Sequence, residues 1–424
     1  MPVRNQFQLL FLRRFVPYFG TQFMGALNDN VFKTSLLVLI SITFANEYPD
    51  KANVLNNIAA AAFIFPFFLF AATAGQLADK FPKYRLIQII KSAEVGIALL
   101  IGVGFYLNHF PFLLFVLFLL GTQAAFFSPV KYSILPQYLT TEELTGGNGL
   151  VQMGTFIAIL MGTILGGLLV SHAKWGELFI FIATLTFALI GLGFSLMIPP
   201  AVYPGQVPSL KINWEPFSQT WRTLSSSIKN PMLFTAMIGI SWFWFYGSVL
   251  LTQIPNYAKL HLNGGAVIMT TLLTLVSLGI GIGSLLCEKL SGHKEEIGLV
   301  PFGAIGLTLF TVDLSFAISL GRVLTDLFFL GLFGGFYIVP LYVMLQTRSP
   351  VETRSQVVAA NNIMNAIFMT FASIVAIVML KIGLSIPQLF LVIALMNAAL
   401  TLCIFWTHPE FIIRFKHWLK SFRK

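Results

Sequence analysis

The sequence has 424 residues, of which 57% are hydrophobic and only 10% are charged, and its formal net charge is +10. Soluble domains carry about 25% charged residues, so this composition indicates an integral membrane protein and excludes a chain that is soluble throughout. In such a protein the positions of the bases matter more than their sum, and the charge therefore predicts no nucleic-acid partner.

Apolar runs of about 20 residues recur along the chain, each long enough to cross a hydrocarbon core of about 30 Å as a helix. Their continuous Leu, Ile and Phe content differs from the alternating pattern of β-barrel strands. We predict an all-α membrane protein whose twelve transmembrane helices cover residues 15–43, 54–78, 86–107, 111–135, 148–170, 176–198, 232–255, 265–287, 297–318, 323–345, 357–381 and 386–407.

The basic residues predict the orientation of these spans. If both termini are cytoplasmic, 20 of the 26 Lys and Arg residues, including Lys91, fall on the cytoplasmic side, and 5 fall on the far side. Lys33, inside the first span, completes the set. Cytoplasmic loops of membrane proteins are enriched in bases, so we predict cytoplasmic termini and an even number of spans.

The first predicted helix contains the polar stretch "GALNDNVFKT", with Asn28, Asp29, Asn30 and Lys33. Asp29 lies roughly 20 Å along its span, near the bilayer midplane, where a charge costs about 2.5–3.5 kcal/mol unless it faces protein, water or a partner. Lys33 follows four residues later, so the two side chains share a helix face and can pair. The pattern favours a polar cavity; a structural ion pair to a neighbouring helix is the alternative.

The loop after the second predicted helix reads "GQLADKFPKYR" over residues 75–85. It resembles the loop motif of the major facilitator superfamily, although Pro82 and Tyr84 depart from that pattern. The glycine allows close helix approach, the acid can lie near a helix N-terminus, and the bases can hold carboxylates or lipid phosphates. The conformational motif predicted here consists of Gly75, Asp79, Lys80, Lys83 and Arg85.

Charged residues also occur in the third and fourth spans. Glu94 follows Lys91 by three residues, which favours a local ion pair over contact with a substrate. Lys131 lies near the cytoplasmic end of the fourth span, after Pro129. Two interpretations fit Lys131: it holds the phosphate of a headgroup in a cavity, or its ammonium extends to the membrane surface.

A polar segment over residues 199–231 divides the spans six and six. We expect residues 1–198 to form an N-terminal bundle, 199–231 a cytoplasmic linker, and 232–424 a C-terminal bundle with a basic tail. Within the linker, apolar residues recur at spacings of three and four, which is typical of a helix on a membrane surface; a loop with scattered aromatics is the alternative. These residues are Trp214, Phe217, Trp221, Leu224 and Ile228.

The two halves of the sequence echo each other at an offset of about 210 residues. "GTQAAFF" at 121–127 corresponds to "GLFGGFY" at 331–337, which matches Tyr132 with Tyr342, and a similar offset aligns Asp79 with Glu288. Parallel repeats of this kind predict two six-helix bundles with a cavity between them.

The seventh span contains "SWFWFYGS", with Trp242 and Tyr246 on nearby faces. Such aromatic side chains can form a wall that covers an acyl chain, or they can face lipid or the bundle core. The sequence leaves both interpretations open.

Four stretches of the N-terminal half resemble the lysophospholipid transporter branch of the major facilitator superfamily, and also the transporter portion of some acyltransferase fusions. They are "FMGALNDN", "GQLADKF", "AAFFSPVKYSILPQYL" and "LTGGNGLVQMGTFIAILMGTILGG". The resemblance implies movement of lysophospholipids from the outer to the inner leaflet of a bacterial inner membrane, with membrane lipids and an acyltransferase as partners. The candidate substrate-binding or coupling residues are Asn28, Asp29, Asn30, Lys33, Lys131, Trp242 and Tyr246.

The sequence contains no grouping typical of an enzyme, an ATP-driven pump, a metal site or a cofactor site. A major facilitator that exports or imports a soluble molecule, such as a drug or a siderophore, is the alternative within transport. A membrane scaffold that transports nothing is the alternative from another class, and the charges of the first span argue against it.

Overall fold

The computed structural model describes residues 5–44, 49–172, 174–201 and 207–421. Within these ranges the chain forms helices and connecting segments and contains no strand. This result confirms the predicted all-α class.

In the described ranges fifteen α-helices follow one another, a 3₁₀ helix over Gln6–Phe11 precedes them, and a second 3₁₀ helix over Val351–Thr353 lies between the twelfth and the thirteenth. Ten of the described helices are long and apolar enough to cross a membrane. Among the others, α11 is shorter and α1 carries the polar stretch. The helices are α1 (Val16–Phe44), α2 (Pro49–Lys80), α3 (Lys83–Tyr106), α4 (Phe110–Ser133), α5 (Leu135–Tyr138), α6 (Leu144–Val170), α7 (Gly176–Leu196), α8 (Pro216–Ile228), α9 (Pro231–Leu260), α10 (Ala266–Ser291), α11 (Leu299–Ser315), α12 (Leu320–Arg348), α13 (Arg354–Lys381), α14 (Ile386–Thr407) and α15 (Glu410–Ser421).

The long helices pack as two groups that meet along two seams. Helices α1–α4, α6 and α7 contact one another in the first group, and α9–α14 do so in the second. The first seam joins α6 to α10, and the second joins α2 to α13. Helix α2 ends, and α3, α6 and α13 begin, at the same end of the molecule. We call this end the basic end.

At the α6–α10 seam the backbones approach closely near the basic end. A Cβ atom added at Gly149 would lie 2.5 Å from the carbonyl oxygen of Ser284, so only glycine permits this approach. Asn148, next to Gly149 on α6, exchanges two amide hydrogen bonds with Gln346 of the neighbouring helix α12, of 2.8 and 2.9 Å. The first seam is therefore closed at this level.

The α2–α13 seam is closed by the predicted motif. A Cβ atom at Gly75 would lie 2.8 Å from the Cβ atom of Ala359. The Asp79 carboxylate accepts the backbone N–H of Ser355 at 2.9 Å and that of Gln356 at 3.2 Å. A carboxylate at a helix N-terminus is favoured by the helix dipole, and Asp79 thus joins the first group of helices to the start of α13.

The N-terminal 3₁₀ helix adds a third contact across the basic end. The backbone N–H of Gln6 donates to Glu288 Oε2 at 3.1 Å, and its side-chain Nε2 donates to the carbonyl of Leu285 at 2.7 Å. Gln6 is buried between α6 and α10, because a Cβ atom at Gly146 would lie 2.8 Å from the Gln6 Cβ atom. The segment before α1 therefore fastens both groups of helices together.

We expect Gly149→Ala to open the basic end. The added methyl group must move α6 by about 1 Å to reach ordinary contact with Ser284, because that contact begins at about 3.4 Å. Spin labels on the exposed residues Glu142 and Lys289 should then show a larger population of long distances than in the unsubstituted protein. Gly167→Ala is the matched control on α6, because its Cβ meets open space; equal distributions for both variants would contradict the expectation.

The linker helix α8 lies against α2 and α13. Just before it, Gln76 and Asn213 exchange hydrogen bonds of 3.1 and 2.9 Å, and Leu224 packs on a small apolar cluster of α2 and α13. Trp214, before the helix, and Trp221, within it, are exposed. The linker is thus attached to the α2–α13 seam while it presents aromatic side chains outward.

The last helix, α15, folds back onto the basic end of the second group. Trp418 Nε1 donates to the Leu290 carbonyl at 2.8 Å. Arg348 bridges Glu295 and Glu410, at 2.9 and 2.8 Å. These hydrogen bonds from Arg348 hold the pKa of the Glu410 carboxyl below its usual value, so this anchor is charged at neutral pH.

Candidate functional site

The polar residues of α1 point in several directions. Asn28 Nδ2 donates to Glu94 Oε1 at 2.9 Å, whereas Asn30 Nδ2 donates back to the carbonyl of Ala26 at 2.8 Å. Asn30 also packs directly on α6, where a Cβ atom at Gly162 would lie 2.8 Å from it. Asn28 therefore belongs to a polar network, and Asn30 belongs to a helix contact.

Asp29 and Lys33 do not form the ion pair that their spacing predicts, and this prediction is wrong. In the described part of the chain, Lys33 has no carboxylate within ion-pair distance, and its ammonium lies over the ring of Phe63, 5.3 Å from the ring centre. Asp29 Oδ1 is buried without a hydrogen-bond partner. The physical reason is that Lys33 turns toward the aromatic face of α2, which leaves Asp29 available for another group.

A buried charge network lies beside α1, and the sequence identified only part of it. Lys91 Nζ and Glu94 Oε2 form the predicted local ion pair at 2.5 Å, and both side chains are fully buried. Gln123 Nε2 donates to the same carboxylate oxygen at 2.8 Å. Lys91 lies against Gly25 of α1, where a Cβ atom would be 2.3 Å from Nζ, so counting Lys91 among the cytoplasmic loop bases is incorrect.

Lys131 directs its ammonium into the protein. Nζ donates to Thr155 Oγ1 of α6 at 2.8 Å, and Thr155 is 3.1 Å from Gln22 Oε1 of α1. Asp29 also interacts electrostatically with Glu94, Lys91, Lys33 and Lys131. The interpretation that Lys131 extends to the membrane surface therefore does not describe this conformation.

Two tyrosines that the internal repeat aligns meet between the groups of helices. The rings of Tyr132 and Tyr342 stack at 4.2 Å with an angle of 9°. Gln152 Nε2 donates to the Tyr132 hydroxyl, and Trp244 Nε1 donates to the Tyr342 hydroxyl, both at 3.3 Å. Buried side-chain polar atoms without a hydrogen-bond partner occur on Gln152, which contacts this stack, and also on Gln22 of α1 and on Asn361 and Asn362 of α13.

An apolar cavity of about 90 Å³ adjoins this polar region. Phe156 of α6 lines it, next in sequence to Thr155, and stacks on Trp244 at 6.2 Å. Phe156 is the one lining residue from the first group, and the second group supplies the others, among them Phe243, Trp244, Tyr246, Ile280 and Leu330. Polar groups around Lys131 can bind an anion, and the adjoining cavity can bind an apolar chain.

The two aromatic residues predicted in the seventh span have different environments. Tyr246 lines the apolar cavity, and its hydroxyl contacts Leu307 and Thr311 of α11. Trp242 instead donates from Nε1 to Asn397 of α14 at 2.7 Å and stacks on Phe245 at 4.7 Å. The structure therefore brings Tyr246 to the site and leaves Trp242 in the packing of the second group.

The remaining residues of the loop motif lie at the basic end. Lys83 is buried, donates to the Ala78 carbonyl at 2.7 Å and lies 4.0 Å from Asp79. Lys80 extends over the ring of Phe81, and Arg85 Nε donates to the Tyr84 hydroxyl at 3.0 Å. These residues shape the closed basic end.

Sequence reasoning missed Gln22, Gln123, Gln152 and Thr155. Neutral polar residues are common in membrane helices, so none of them is distinctive by itself. For Gln22 a signal was available, because this residue shares a helix face with Asp29. Gln22 precedes Asp29 by seven residues, which is two helical turns.

Comparison of the sequence with known proteins identifies its relatives. The profile of the Major Facilitator Superfamily matches residues 19–373. A lysophospholipid transporter, LplT, of Klebsiella pneumoniae strain 342 is 32% identical over 339 residues, which cover 77% of this chain and 78% of the relative. LplT of Serratia proteamaculans is 28% identical over 348 residues, which cover 80% of this chain and 81% of the relative.

Solved structures show the same fold at low sequence identity. The human organic anion transporter MFSD10 superposes with a TM-score of 0.77 at 12% identity, over 92% of this chain and 99% of that one. The fucose:proton symporter FucP of E. coli gives a TM-score of 0.72 at 15% identity, over 93% and 99% of the two chains.

Proposed function

This chain belongs to the lysophospholipid transporters of the major facilitator superfamily, and we propose that it carries lysophospholipids from the outer to the inner leaflet of a bacterial inner membrane. In this proposal both termini are cytoplasmic, the basic end faces the cytoplasm, and no ATP is hydrolysed. Lipids delivered in this way are substrates for an acyltransferase that restores the second chain.

The observation that carries the proposal is the junction of a charged and an apolar subsite. Lys131 bonds to Thr155, and the next residue, Phe156, lines the apolar cavity. A lysophospholipid has a phosphate joined to a single acyl chain, so its phosphate fits Lys131 while the first part of its chain fits against Phe156 and Tyr246. A soluble, fully polar substrate would leave the apolar cavity unused.

Asp29 supplies the complementary charge for a zwitterionic headgroup. Its Oδ1 atom is buried without a partner, and an unpaired carboxylate in this setting is stabilised by a cation. We propose that Asp29 binds the ammonium of lysophosphatidylethanolamine while Lys131 binds its phosphate. Asn28 then orients this part of α1 through its bond to Glu94, and Lys33 adds positive charge to the same helix.

Transport in this proposal requires the basic end to open. Asp79 and Gly75 close the α2–α13 seam, while Gly149 and Gln6 close the α6–α10 seam. Release of these contacts exposes the central site to the cytoplasmic leaflet, and their formation exposes it to the other side. Lys80 and Arg85 keep the motif loop at the membrane surface during this exchange, and the buried Lys83 interacts with Asp79.

An uptake experiment tests the function. Spheroplasts of a strain that lacks its own lysophospholipid uptake, supplied with an acyltransferase, receive labelled lysophosphatidylethanolamine from outside. Expression of this chain should restore its conversion to the diacyl lipid, because the carrier delivers the substrate to the enzyme. No restoration, with the protein present at a normal level, would contradict the proposal and favour a soluble substrate such as a drug or siderophore.

A further inference from the structure

A second apolar space, outside the central site, opens on the surface of the first group of helices. It is a groove of about 440 Å³ between α2, α3 and α4. Ten of its twelve lining residues are apolar, and the exceptions are Thr122 and Gln123. We propose that this groove binds one acyl chain of a phospholipid of the surrounding bilayer, and that Lys80 and Arg85 bind the phosphate of that lipid.

The dimensions of the groove match one leaflet. Along α3 it runs from Leu86 to Ile97, and along α4 from Leu119 to Val130. Each stretch rises about 16 Å at 1.5 Å per residue, which is roughly half of a hydrocarbon core of about 30 Å. A chain anchored at the basic end would therefore occupy the groove to about the middle of the bilayer.

The mouth of the groove carries two bases suited to a phosphate. Lys80 follows the lining residue Leu77 by three positions, and Arg85 precedes the lining residue Ile89 by four, so both bases share faces with the groove. Across the described ranges neither base forms an ion pair with a carboxylate. Their charges complement a lipid phosphate at the membrane surface.

The groove is separated from the central site, so its occupant is not the transported lipid. Gln123 forms its inner wall and donates to Glu94, which is fully buried with Lys91. This network lies between the groove and α1. On the outer side Ile89 is 66% exposed, which opens the groove to bilayer lipid along its length.

Photochemical labelling tests the proposal independently of transport. The purified protein is reconstituted into liposomes of phosphatidylethanolamine and phosphatidylglycerol with a trace of phosphatidylglycerol that carries a diazirine in mid-chain. After illumination, peptides are mapped by mass spectrometry. We expect adducts to concentrate on groove residues of α3 and α4, in excess of those on the lipid-exposed face of α7 around Leu189, which is 50% exposed.

Substitutions in the groove provide the decisive comparison. Ala93→Trp fills the groove and should remove most of its adducts, whereas Leu99→Trp, at an exposed position of the same helix that does not line the groove, should retain them. Thr122→Phe narrows the groove from α4 and repeats the test. The double variant Lys80→Gln/Arg85→Gln should also reduce the adducts, since it removes the phosphate contacts.

Three results would overturn the proposal. The first is equal labelling of the groove and of the α7 face. The second is persistence of the groove adducts in both Ala93→Trp and Thr122→Phe. Displacement of the adducts by excess lysophospholipid would instead assign the groove to the transported lipid. A failure of lysophospholipid uptake leaves this experiment unaffected, so the two proposals fail separately.

Discussion

Replacing Lys131 by methionine is expected to lower lysophospholipid uptake by about 10- to 100-fold. A hydrogen bond to a charged group contributes about 1.5–3 kcal/mol, and 1.4 kcal/mol corresponds to a factor of ten. Methionine keeps most of the side-chain length and removes the charge that the phosphate needs. Initial rates of conversion of labelled lysophosphatidylethanolamine in spheroplasts, normalised to the amount of protein in the membrane, measure the effect.

Two further variants separate binding from folding. Lys131→Arg retains a positive charge and should keep a larger part of the uptake than Lys131→Met does. Lys289→Met removes an exposed base from the end of α10 and should leave uptake unchanged. Thr155 can still donate its hydroxyl proton to Val151 or to Gln22 when Lys131 is replaced, so the protein should still accumulate. If the Lys131→Met variant takes up lysophospholipid at the normal rate, Lys131 does not bind the substrate.

The second large effect concerns stability. Glu94→Gln should destabilise the protein by about 3–5 kcal/mol, because it leaves the charge of Lys91 buried without its counter-charge. Thermal unfolding of the purified protein in detergent should show a clear fall in Tm, and the amount of protein in the membrane should fall with it. Lys91 also lies 4.9 Å from the ring centre of Phe127, which cannot substitute for a carboxylate.

A double substitution distinguishes loss of a charge pair from loss of packing. Lys91→Met combined with Glu94→Gln removes both charges, and replacing a whole buried pair is commonly far less damaging than removing one partner. The double variant should therefore be more stable than Glu94→Gln alone. Asp313→Asn breaks the exposed pair between Asp313 and Arg322 and should change Tm little. A double variant less stable than Glu94→Gln would show that packing dominates.

The helices were predictable from the sequence because the apolar runs are long and continuous. The predicted span 386–407 coincides with Ile386–Thr407, where Ser385 and Gln388 form a capping box before the apolar run. The predicted span 323–345 is shorter than Leu320–Arg348. Hydropathy marks only the apolar part of a helix, and the ends of α12 continue with polar residues that still make helical hydrogen bonds.

The contents of the site were harder to predict, because they depend on how helices are rotated against one another. Trp242 and Tyr246 are four residues apart in a helix that is apolar on all sides, so no periodicity indicates which face each neighbour covers. The structure packs Trp242 on Asn397 and turns Tyr246 to the cavity. Lys33 is similar, since its contact with Phe63 depends on the placement of α2.

The contact of Gln6 with Glu288 has a consequence for how the chain matures during synthesis. The two residues are separated by 282 positions, and at translation rates of 5–20 residues per second the second emerges roughly 15 to 55 s after the first. Through that interval the segment before α1 lacks the part of its site that α10 supplies, although the first six membrane helices have already left the ribosome. The amino-terminal segment therefore reaches its final position only after the first membrane helices have been inserted. In a nascent chain stalled before α10, this segment should be cleaved by proteases that do not cleave it in the finished protein.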